Sequence, residues 1–89
     1  MQEKELEIIN KLGLHARAAA KLIGVTSRFS ADITLIKDGR EVDGKSIMSV
    51  MMLAASQGTI LSVKTNGSDE ESALIAIEEL INNRFDEDE

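Results

Sequence analysis

Eighty-nine residues, 43% hydrophobic and 29% charged, suit one small domain over residues 1–89 with a single modest core. A net charge of −6 and a pI near 4.7 argue against nucleic acid and anionic membranes, which need clustered Lys and Arg, and an aromatic set of two Phe offers no platform for stacking bases. The chain has no cysteine for disulfide or thiol chemistry, no apolar run near the roughly 20 residues of a membrane span, and Glu3, Glu5 and Glu7 where a signal peptide would lie, so the expected location is the cytoplasm.

From about Lys4 to Ile9, charged and apolar residues alternate (Glu5, Leu6, Glu7, Ile8), predicting a strand with one buried face. A helix follows from about Ala16 to Ser27, with Ala16, Ala19, Ala20, Leu22 and Ile23 on its expected apolar stripe and Arg17 and Lys21 off it. Asp32–Lys37 and Arg40–Asp43 read as a hairpin, because both residues of the intervening Asp38-Gly39 tolerate positive φ. A short helix is expected from Ile47 to about Ser56, with Gly58 near its end as a C-terminal cap. Thr59–Thr65 reads as a fourth strand, closed by Asn66-Gly67. Ser68-Asp69-Glu70-Glu71 matches a capping box opening a last helix, whose stripe is Ala73, Leu74, Ile77, Leu80 and Ile81. Asp86-Glu87-Asp88-Glu89 reads as a frayed, solvated tail.

The order is therefore β-α-β-β-α-β-α. One apolar face per strand and one stripe per helix predict an α+β fold, a four-stranded antiparallel sheet with three helices on one face. Pattern alone does not order the strands, and a ferredoxin-like split βαβ arrangement would read almost the same.

The single histidine stands in Asn10-Lys11-Leu12-Gly13-Leu14-His15-Ala16-Arg17-Ala18-Ala19-Ala20-Lys21-Leu22. Gly13 permits a sharp turn into the helix, and the first N–H groups of a helix lack internal acceptors and favour a phosphate. With His15 at the N-cap, the backbone N–H groups of Ala16 and Arg17 form a cradle and the Arg17 side chain can fork onto phosphate oxygens. Taken singly, each residue has a plainer reading: a surface histidine, a turn glycine, a solvated arginine. Their conjunction is what points to chemistry. One imidazole and scattered carboxylates make no metal-ligand set, and no cofactor is implied.

This stretch resembles the signature of HPr, the histidine-containing phosphocarrier family of the bacterial phosphoenolpyruvate-dependent phosphotransferase system. Gly44-Lys45-Ser46-Ile47-Met48-Ser49-Val50-Met51-Met52-Leu53-Ala54-Ala55 resembles the family's regulatory serine and second helix, and Gln57-Gly58-Thr59 with the strand after it also fits. The resemblance implies the HPr-like open-faced β-sandwich. It also implies phosphorylation of His15 on Nδ1 by phosphorylated enzyme I, delivery to the A component of enzyme II complexes in sugar uptake, and Arg17 as the phosphate clamp. Ser46 is a good N-cap from its residue type alone; the family likeness adds a phosphosite for an HPr kinase/phosphorylase. Ile47, Met48 and Met51 are expected to dock partners, since so short a helix cannot bury all its apolar residues and Met suits a surface serving several proteins. Two departures stand out: Ala18 where many members carry proline, and Ser49 where glycine is common.

A phosphorylation-dependent regulatory module, as in the nitrogen-related branch of these systems, is the alternative reading. A small hydrolase using His15 as general base lacks a second catalytic group nearby. A monomer is expected of a shuttle meeting its partners through one face.

Overall fold

The computed structural model describes residues 1–88. Its elements are β1 (Gln2–Glu7), α1 (Ala16–Thr26), β2 (Asp32–Lys37), β3 (Arg40–Asp43), α2 (Ile47–Met52), β4 (Ile60–Asn66) and α3 (Glu70–Asn82), followed by a tight turn over Arg84–Asp86. The four strands lie in the order β1-β4-β2-β3, each pair antiparallel. This resolves the strand order that pattern left open, and the predicted β-α-β-β-α-β-α sequence of elements stands.

Alternation decides which face is covered. Leu6, Ile33, Leu35, Leu61 and Val63 are buried, whereas Thr34 and Ile36 face Lys64 and Ser62 across the pairing and are only half-buried. The three helices close the apolar face, with Leu22, Val50, Leu53, Ile77 and Ile81 in the core. Asp38 (φ 51°) and Gly39 (φ 81°) make the predicted turn between β2 and β3. Among the described residues no helix is long and apolar enough to cross a membrane.

Several boundaries differ from expectation. β1 begins at Gln2 rather than Lys4, while Ile8 continues the pairing, its N–H on Thr59 O at 2.9 Å. The buried face of α1 is Ala18, Ala19, Leu22 and Thr26; Ala16 and Ala20 are exposed and Ile23 is partly buried, so the stripe is rotated from the expected one. α2 stops at Met52, because Ala54 turns into the left-handed region (φ 51°) and sends Leu53 and Ala55 into the core. Gly58 is therefore a turn residue before β4, not the cap of α2.

The expected capping box also rearranges. Asp69, not Ser68, holds the N-cap of α3, and its carboxylate instead accepts the N–H groups of Ser30 (2.9 Å) and Ala31 (2.8 Å). The Ser30 amide bond leads, with help from Ala31, in holding the Asp69 carboxyl below its ordinary value. Glu70 accepts the Gly67 N–H at 3.1 Å and pairs with the N-terminal ammonium at 2.7 Å; these contacts depress its carboxyl, the terminal ammonium most.

Candidate functional site

Gly13 fixes the loop that leads into α1. At its φ of +69°, an added Cβ would meet Ala55 O at 2.5 Å and Ser56 Cα at 2.8 Å, so only glycine fits without displacing backbone. The next residue, Leu14, is buried and donates its N–H to Ala55 O at 2.8 Å, tying the loop to the segment after α2.

His15 is the N-cap of α1, with extended backbone (φ −78°, ψ 178°) and its carbonyl accepting the Ala19 N–H at 2.8 Å. The ring makes no capping bond and is not spent on the helix; 28% of the side chain remains accessible. Helix geometry leaves the N–H groups of Ala16, Arg17 and Ala18 without intrahelical acceptors at the same spot. Arg17 is exposed and, among the described residues, its side chain makes no hydrogen bond or ion pair. It lines a cleft of about 450 Å³ with Leu12, Lys21 and Glu87. Ala18 packs into the core rather than toward this cleft.

The acidic tail is tied down through Glu87 rather than frayed, which corrects the sequence expectation, while Asp86 and Asp88 are solvent-exposed as expected; Glu89 lies outside the described residues. Phe85 is fully buried, and Arg84, Phe85 and Asp86 all take left-handed backbone (φ 56°, 52° and 62°). That reversal brings the tail back over α1, where Lys21 Nζ donates to Phe85 O at 2.9 Å. Glu87 thereby reaches the histidine: His15 Nε2 is hydrogen-bonded to Glu87 Oε2. Asn10, fully buried, donates Nδ2 to Gly13 O at 2.8 Å and to Glu87 Oε1 at 2.9 Å. Its Oδ1 is buried without a partner among the described residues, at a cost of about 1–3 kcal/mol. Burial acts to raise the Glu87 carboxyl, but the hydrogen bonds from Asn10 and His15 and the nearby Lys21 cation outweigh it and hold the group below its ordinary value.

Ser46 is the N-cap of α2, and its Oγ accepts the Ser49 N–H at 3.3 Å. The departure at Ser49 thus adds a half-buried side chain in the first turn of α2. Ile47 (39%), Met48 (71%) and Met51 (41%) are exposed, as is Met52, on a helix packed beside α1.

The structure therefore sets Arg17 in a cleft whose Glu87 is hydrogen-bonded to His15, and sets Ser46, Ile47, Met48 and Met51 on the neighbouring element. Reading the sequence missed Asn10, Phe85 and Glu87. A signal for the tail was present, since Phe85 is one of only two aromatic residues and stands directly before the acidic run.

A family model described as the PTS HPr component phosphorylation site matches residues 2–83. The chain is 57% identical over 88 residues to the phosphocarrier protein HPr of Xylella fastidiosa, covering 99% of each, and 57% identical over 90 residues to that of Pseudomonas aeruginosa, covering all of each. It superposes on the crystal structure of HPr-C-His from Thermoanaerobacter tengcongensis with a TM-score of 0.97, at 44% identity over the whole of both chains. The class is thus a phosphoryl carrier rather than an independent catalyst. The chain belongs to the HPr family of the phosphotransferase system.

Proposed function

We propose that His15 accepts a phosphoryl group on Nδ1 from phosphorylated enzyme I and passes it to the A component of enzyme II complexes serving sugar uptake, in the cytoplasm. The observation that carries this reading is a partly exposed imidazole at the N-cap of α1, engaged through Nε2 and not used for capping. The amides of Ala16 and Arg17 would face the incoming charge, and helix N-termini typically favour an anion by about 0.3–1 kcal/mol. So modest a gain suits a group that must be given away again. Arg17, with no partner among the described residues, is free to fork onto the phosphoryl oxygens.

Ile47, Met48 and Met51 form the docking patch, supported by their exposure on α2. Ser46 is the regulatory phosphosite in this reading. A phosphate there would place a dianion next to Ile47 and Met48 and oppose their burial under a partner, and it would require an HPr kinase/phosphorylase.

The test is transfer in both directions. With phosphoenolpyruvate and enzyme I, the chain should gain one acid-labile, alkali-stable phosphate and lose it to an enzyme IIA protein; His15→Ala should take none. Equal labelling of His15→Ala would overturn the assignment. Delivery only to a nitrogen-type acceptor, with none to a sugar-specific one, would move the protein to the nitrogen-related branch.

A further inference from the structure

The carboxylate at the cleft comes from a segment that the sequence marks as mere tail, and three features hold it there. Phe85 is buried as its anchor, three consecutive left-handed residues reverse the chain, and Asn10 places one amide hydrogen on Glu87 Oε1 while its own Oδ1 goes unsatisfied among the described residues. A packing role for the tail accounts for Phe85. It does not account for a buried amide aligning a carboxylate whose other oxygen meets an imidazole.

We propose that Glu87 is a positioning residue for phosphoryl transfer: its carboxylate holds the Nε2–H form of His15, so that the lone pair sits on Nδ1. A carboxylate is an acceptor only, so the proton of this hydrogen bond belongs to the ring, and a neutral imidazole protonated at Nε2 has its nucleophilic pair on Nδ1. The inference rests on the carrier reading above. In the transfer, the Nδ1 lone pair forms the new N–P bond while the bond from phosphorus to the donor's leaving atom breaks, its electron pair staying with the donor. The proton remains on Nε2 throughout. The ring becomes cationic as the N–P bond forms, and the Glu87 carboxylate beside Nε2 offsets that charge. Return of the phosphoryl group to an acceptor runs the same steps backward. Asn10 orients Glu87, as Glu87 orients the ring.

The experiment compares full-length wild type with Glu87→Ala, Glu87→Gln and, as control, the exposed α3 substitution Glu79→Ala. Phe85 stays in every variant, and Glu87→Gln keeps shape and an acceptor oxygen while removing the charge. Long-range proton–nitrogen NMR should show the Nε2–H form in wild type and a mixture of tautomers in Glu87→Ala. The maximal rate of phosphoryl transfer from enzyme I should fall roughly ten- to a hundredfold in Glu87→Ala and less in Glu87→Gln, well short of the ~10⁴ seen where such a carboxylate is fully buried. The enzyme I concentration giving half the maximal rate should not move, and Glu79→Ala should match wild type. A wild-type chain that takes no phosphate overturns the carrier reading. A wild-type chain that takes it while Glu87→Ala keeps the same tautomer, or transfers as fast or faster, overturns the role of Glu87 alone.

Discussion

At Gly13 the loop before His15 has no room for a Cβ and a backbone angle that L side chains rarely adopt. Gly13→Ala should therefore cost at least about 2 kcal/mol in urea unfolding, the sum of left-handed strain and displaced Ala55–Ser56 backbone; an unchanged midpoint would mean that the loop yields freely. Arg17 makes the opposite case. Exposed and unengaged among the described residues, it has little to contribute to folding. Arg17→Ala should leave the melting temperature in place and slow transfer to His15 by roughly tenfold or more, as loss of a phosphate-facing donor does. Both residues were legible in the sequence, because glycine before a helix and arginine just inside it have local physical meanings. Asn10 was not: its part depends on Glu87, 77 positions away, and no local pattern encodes such a pairing.

The helices show where local signals end. Ser46 caps α2 as its residue type predicts, and Ser46→Ala should lower stability by about 0.5–2 kcal/mol. The other end of α2 was misread because its last carbonyls are capped from the sheet. Lys37 Nζ donates to Leu53 O at 3.0 Å and Arg40 Nη1 to Met52 O at 3.3 Å, both from the β2–β3 hairpin. These cations do what a glycine cap and a longer helix were expected to do. Lys37→Ala should cost on the order of 1 kcal/mol in chemical denaturation, and no loss would show that water satisfies those carbonyls equally well. Similarly, the acidic start of α3 reads as a self-contained capping box, yet Asp69 spends its carboxylate on the Ser30 and Ala31 amides across the fold. Strand alternation and the Asp38-Gly39 turn were legible because they are local; helix ends fixed by tertiary partners were not.

Across the whole molecule, the tail joins stability to the site. Three left-handed residues cost about 1–2 kcal/mol each, while burial of Phe85 returns about 1.5–3 kcal/mol and the Lys21, Asn10 and His15 bonds about 0.5–1.5 kcal/mol apiece. The two sides nearly cancel, so the segment is held firmly only by all its contacts together. Phe85→Ala should therefore release the segment and raise hydrogen exchange over residues 84–88. Acid should release the tail as well. The folded-state value of Glu87 is depressed, so its contribution is fully present above the ordinary carboxylate range and is lost as pH falls through the lowered value. Protection of the tail amides, relative to their intrinsic exchange at each pH, should fall across that window, and in Glu87→Gln this pH dependence should vanish.

The central claim is that His15 carries phosphate on Nδ1 while Nε2 keeps its proton. Phosphorus and long-range proton–nitrogen NMR of the chain after incubation with phosphoenolpyruvate and enzyme I reads both nitrogens at once. The account predicts a single N–P bond at Nδ1 of His15 with Nε2–H retained; phosphate on Nε2, or on any residue other than His15, would contradict it.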